Sequence, residues 1–109
     1  MKTYALALDL YDDPVLIEEY DNYHRAVWPE IKESIQQSGI VSMDIYRFGN
    51  RLFMIIQATE YFSFEEKGKM DATNKKVQEW ENLMWKYQRS IPGAKEGEKW
   101  VLMDKIFEL

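Results

Sequence analysis

The sequence predicts a ferredoxin-like α+β sandwich of β-α-β-β-α-β order, a four-stranded antiparallel sheet with both helices on one face. Three observations predict it. The chain opens on an alternating apolar segment, two strand-like segments flank Gly49-Asn50, and a stretch of helical period stands on either side of that pair. Across 109 residues there is no repeat, linker or low-complexity tract, so one domain spanning 1–109 is expected.

Residues 3–10 place Tyr4, Leu6, Leu8 and Leu10 on one face and Thr3, Ala5, Ala7 and Asp9 on the other, the period of a strand. Asp12-Asp13-Pro14 reads as a helix start, with Asp13 as N-cap and Pro14 in the first turn. Leu16, Tyr20, Tyr23, Val27, Ile31 and Ile35 then recur at helical spacing. Pro29 falls inside this stretch and disfavours helical geometry at Trp28, which predicts a kink. Gly39 ends the helix, and residues 40–48 and 51–58 form a hairpin about Gly49-Asn50. Ser63-x-x-Glu66 is a capping-box pattern for a second helical region reaching about Arg89, with a break near Asp71–Asn74. After a polar loop from Pro92-Gly93 to Glu98, Trp100–Leu109 is expected to form the last strand. Leu52, Phe53, Met54, Ile55 and Ile56 are apolar at both parities. Burial on both sheet faces, and hence a homodimer formed through the sheet, is expected from that.

Composition removes several function classes. The net charge of −5 and the lack of a basic stripe argue against a nucleic-acid partner. The chain has no cysteine and one histidine, so thiolate nucleophiles, disulfides and multi-histidine metal centres are ruled out. No segment has the length of a membrane span, and the charged, alternating N-terminus does not fit a signal peptide. The expected setting is cytoplasmic, without membrane contact. Four Trp and seven Tyr exceed what a core of this volume comfortably hides, so some should line a pocket or an interface.

Two positions stand out as candidates for chemistry. Tyr20 and His24, four residues apart, stack on one helix face inside the stripe of Leu16, Val27 and Ile31. A histidine there is either a satisfied core residue, with Tyr20 in reach as its partner, or a general acid/base in a closed pocket. Trp85 falls off the apolar face made by Val77, Trp80, Leu83, Met84 and Tyr87, where an indole packs on a partner subunit or a ligand. Asp71 reads as a cap, and Lys67, Lys69, Lys75, Lys76, Glu79 and Glu81 as a solvated helix face.

The stretch Glu18-Glu19-Tyr20-x-x-x-His24-x-x-x-Trp28-Pro29-Glu30 resembles the signature of the L-rhamnose mutarotase family. Trp85-Lys86-Tyr87, Pro92 and the segment ending Ile106-Phe107 resemble its C-terminal block, so the likeness covers essentially the whole chain. The resemblance implies a dimeric α+β barrel that binds one monosaccharide per subunit and uses no cofactor or metal. It implies His24 as the catalytic proton donor, Tyr20 as its neighbour in catalysis, and Trp85 and Trp28 among the residues around the sugar.

Two substrate-contacting positions depart from the rhamnose-specific pattern. Met43 replaces a tyrosine on the second strand, and Met84-Trp85 replaces a tryptophan pair. Both changes remove a polar group, which implies a differently shaped substrate. With the Gly97-Glu98-Lys99-Trp100-Val101-Leu102-Met103 tail, the resemblance favours interconversion of the anomers of L-fucose, with L-rhamnose next. The same architecture serves oxygenases and isomerases of the dimeric α+β barrel kind and noncatalytic sugar-binding modules, so these stay as alternatives.

Overall fold

The computed structural model describes all of residues 1–109. In chain order it contains β1 (Lys2–Leu10), α1 (Pro14–Arg25), α2 (Pro29–Gln37), β2 (Ile40–Phe48), β3 (Arg51–Ala58), α3 (Phe64–Thr73), α4 (Lys75–Met84), β4 (Gln88–Arg89) and β5 (Val101–Leu102). The strands lie in the order β2-β3-β1-β4, with β5 also on β1, and every pairing is antiparallel. That is the ferredoxin-like arrangement.

Each predicted helical region is two helices. Asp13 caps α1 by accepting from the Val15 and Leu16 amides at 2.9 and 3.3 Å. Trp28, immediately before Pro29, sits at φ −54° and ψ 134°, so the first helix breaks over Ala26–Trp28 and a new one starts. The sequence predicted only a kink. In the second region the Ser63 hydroxyl accepts from the Glu66 amide at 3.0 Å. The predicted break falls at Asn74, whose side chain accepts from the Lys76 and Val77 amides and starts α4.

The core forms where the even-parity face of β1 and its partners meets the helices. Leu6, Met54, Ile56 and Ala58 cluster with Ile40 and Phe62, while Leu8, Leu10 and Leu52 cluster with Tyr20, Met84 and Tyr87. The hairpin reverses at Gly49 with φ +60°. Gly39 sits at φ +101° with a hypothetical Cβ only 3.0 Å from Thr59 Oγ1, which leaves glycine as the residue that fits there.

The edge beside β1 is shared. β4 pairs with Asp9 and Leu10, and β5 pairs with Leu6 and Ala7. The strand expected over Trp100–Leu109 shrinks to Val101–Leu102, with one further bond from the Met103 amide to the Ala5 carbonyl at 2.8 Å. Ile106, Phe107 and Leu109 are left exposed. Their apolar character signals burial, and nothing within one chain covers them. On the sheet face away from the helices, Phe53 and Ile55 are half-buried, Tyr46 and Phe48 are exposed, and Asp9 pairs with Arg51 at 2.7 Å.

Candidate functional site

A cavity of about 770 Å³ opens between the helices and the sheet, within the range that small-molecule sites occupy. Leu6, Met54 and Ile56 form its floor, Met43 and Ile45 of β2 one wall, and Trp80 and Met84 of α4 another. Tyr20 and His24 of α1 reach in from above, and Gln88, Lys99 and Trp100 close the side beside β1.

His24 is held by its own helix. Its Nδ1 lies 2.8 Å from the main-chain carbonyl of Tyr20, one turn back. A carbonyl can only accept, so Nδ1 carries the hydrogen and Nε2 keeps its lone pair. The His24 ring lies 4.3 Å from that of Tyr20 and meets the edge of Trp80 at 5.7 Å. Burial pushes the imidazole pKa below 6.5, against the opposing pull of the Tyr20 carbonyl and of Asp21. At neutral pH the ring is therefore a neutral base.

Tyr20 does not meet His24 through its hydroxyl, as its reach had suggested. The hydroxyl accepts instead from Gln88 Nε2 at 3.3 Å. Tyr20 is only 2% exposed, and burial pushes its pKa up to about 12, so the phenol keeps its proton and can donate it in a hydrogen bond. Gln88 is equally enclosed, and its Oε1 has no partner. An acceptor left unpaired in the interior costs about 1–3 kcal/mol.

Of the residues singled out in the sequence, His24, Tyr20, Met43 and Met84 converge on this cavity. Trp28 lies one ring behind, its indole 5.1 Å from that of Trp80. Trp85 stands outside. It caps α4 and lies under Lys99 Nζ, 4.4 Å from its ring centroid. The indoles on the cavity are Trp80 and Trp100, which the sequence reading had not placed at the site. The signal for Trp80 was present in its position one helical turn before Met84. Gln88 carried no such signal, because its short strand had been absorbed into a helix end.

The cavity lining also carries charge. Lys67 pairs with Asp71, and both line the cavity with Glu81 and Lys99. This corrects the expectation of a cap at Asp71 and a solvated face at Lys67 and Glu81. The cap position belongs to Asn74, and α3 turns Lys67 and Asp71 inward. Burial lowers the Lys99 pKa, and its ammonium donates to the Glu81 carbonyl at 3.3 Å. Chemically, the site offers one neutral imidazole, one protonated phenol and one amide at its polar end, between apolar walls. That set suits proton transfer on a small polar molecule with apolar faces.

The family model described as L-rhamnose mutarotase matches residues 3–109. An L-fucose mutarotase of Xanthomonas campestris pv. campestris is 41% identical over 111 residues, covering 100% of this chain and 89% of that protein. The crystal structure of an L-rhamnose mutarotase from Formosa agariphila aligns with TM-score 0.74 at 18% identity, over 100% of this chain and 99% of that one. Tetracenomycin F2 cyclase from Streptomyces glaucescens, a type-II polyketide cyclase, aligns with TM-score 0.70 at 14% identity, over 100% and 97%. The last two share the fold.

Proposed function

The chain belongs to the L-rhamnose mutarotase family of carbohydrate isomerases, and from that premise we propose that it interconverts the α and β anomers of a 6-deoxy-L-hexose, L-fucose before L-rhamnose, without a cofactor. The observation that carries this reading is His24, a neutral imidazole with one nitrogen tied to its helix and the other left free, in a cavity large enough to admit a monosaccharide. The preference for L-fucose rests on the relative of that name and on Met43 and Met84, which offer the sugar apolar contact.

Mutarotation needs the hemiacetal to open, C1 to turn its other face, and the ring to close. His24 Nε2 takes the proton of the anomeric hydroxyl as the bond from C1 to the ring oxygen breaks and the aldehyde forms. The Tyr20 hydroxyl, kept protonated by burial, hydrogen-bonds to the ring oxygen and steadies the charge developing there. The imidazolium, lying against the Tyr20 ring, then returns its proton to that oxygen. Rotation about C1–C2 and the reverse sequence give the other anomer. Trp80 supplies the flat apolar wall against which the C–H face of a pyranose stacks, with Trp28 behind it. Trp85 acts from outside by holding Lys99 over its ring.

Proton NMR saturation transfer between the anomeric signals of L-fucose, then of L-rhamnose, tests the reading. Wild-type protein should speed exchange, and His24→Gln should lose at least about 100-fold while remaining folded by circular dichroism. Binding of the sugar without acceleration would instead make the chain a noncatalytic sugar-binding module.

A further inference from the structure

We propose that Gln88 is a specificity-determining residue, its side-chain amide, bonded to the Tyr20 hydroxyl, receiving one particular hydroxyl of the sugar through Oε1. The proposal rests on the mutarotase reading above. Gln88 sits on β4, paired with Leu10 at the edge of the sheet, and its side chain lines the cavity while remaining 95% out of solvent, at 5% exposure. Its Nε2 donates to the Tyr20 hydroxyl at 3.3 Å, and its Oε1 has no donor.

One hydrogen-bonding capacity of this pair is therefore left for a sugar hydroxyl. The Tyr20 oxygen accepts from the amide and gives its own proton in a hydrogen bond to the ring oxygen, while Gln88 Oε1 has room to accept. A sugar hydroxyl that donates to Oε1 supplies the missing partner.

The surroundings make this pair selective. The other side chains beside the pair, Leu6, Met54, Met84 and Trp100, offer no strong acceptor, and the lone pair of His24 Nε2 is engaged at the anomeric hydroxyl. A purely structural partner for the buried Tyr20 hydroxyl needs one hydrogen-bonding atom, and the amide carries a second, Oε1, that no group of the fold meets. Gln88 is flanked by the apolar cluster of Leu8, Leu10, Tyr20 and Tyr87, where an aliphatic side chain would pack without an unpaired oxygen. Sites built to bond a hydroxyl reject analogues lacking it far more strongly than apolar pockets reject a missing methylene. Epimers that direct the hydroxyl away from Gln88 would meet the same penalty.

The test pairs deletions on the enzyme with deletions on the sugar. Anomer exchange is measured by NMR for wild type, Gln88→Met and Gln88→Leu with L-fucose, L-rhamnose and the 2-, 3- and 4-deoxy derivatives of L-fucose. Two substitutions of similar bulk keep the test open should one fail to fold. For wild type, removal of one hydroxyl should lower kcat/KM about tenfold or more, and removal of the others much less. In the variants L-fucose itself should lose a similar factor, while deletion of that same hydroxyl should cost nothing further. Equal losses on every sugar, parent and deoxy alike, would overturn the assignment and leave Gln88 as packing. A wild-type protein that accelerates none of these sugars would remove the mutarotase reading, and the role of Gln88 with it.

Discussion

At the scale of single residues, the decisive feature is that the imidazole is neutral and singly tethered. Because burial lowers the His24 pKa, the base proposed for catalysis is lost only when the pH falls below 6.5. The acid limb of kcat/KM for anomer exchange should therefore have its inflection below 6.5, and His24→Gln should abolish that limb with the activity. The same shift has a sign for stability. The unfolded chain takes up a proton on this histidine before the folded chain does, so stability should fall as the pH drops from 6.5 through the folded pKa. Urea unfolding of wild type and His24→Gln at pH 7.5 and pH 5.5 should show a smaller loss in the variant. Spacing made the stacking of Tyr20 on His24 legible, since positions four apart on a helix must meet. It could not show that the Tyr20 hydroxyl goes to Gln88, 68 positions away in the chain, because only the tertiary fold brings them together.

At the scale of elements, the best-read parts were those fixed by local chemistry. Gly49-Asn50 set the hairpin, Asp13-Pro14 and Ser63-x-x-Glu66 opened helices, and the proline rule located a kink at Trp28 where the helix in fact breaks in two. What escaped was β4, two residues whose pairing depends on the free edge of β1 rather than on their own sequence, while β5 was read as a strand but far too long. The joint between α3 and α4 is the element boundary with most bearing on the site, because α4 carries Trp80 and Met84. Asn74 forms that joint, accepting from two amides of the first turn of α4 at 3.1 and 3.2 Å. Asn74→Ala should cost about 1 kcal/mol, lowering Tm by roughly 4–8 °C in a domain of this size. A thermal melt followed by circular dichroism checks it.

At the scale of the whole molecule, the sheet has one covered face and one without cover. Phe53 and Ile55 stand at the centre of the open face, with Tyr46 and Phe48 toward its edge, and Ile106, Phe107 and Leu109 lie uncovered at the C-terminus. Two-sided apolar strands had pointed to a homodimer, and we propose that a second copy packs on this face. Light scattering at micromolar concentration should give twice the 13.1 kDa of one chain. Ile55→Asp, placing a charge in the middle of the face, should shift the protein to monomer. The indoles are distributed in the opposite way. Trp80 and Trp100 line the cavity, Trp28 rests on Trp80, and Trp85 supports the lysine at the cavity edge. All four tryptophans are thus within one contact of a single compartment, and Trp80 touches the one imidazole. Tryptophan emission, excited selectively over that of the seven tyrosines, should therefore report what fills the cavity and whether His24 is charged.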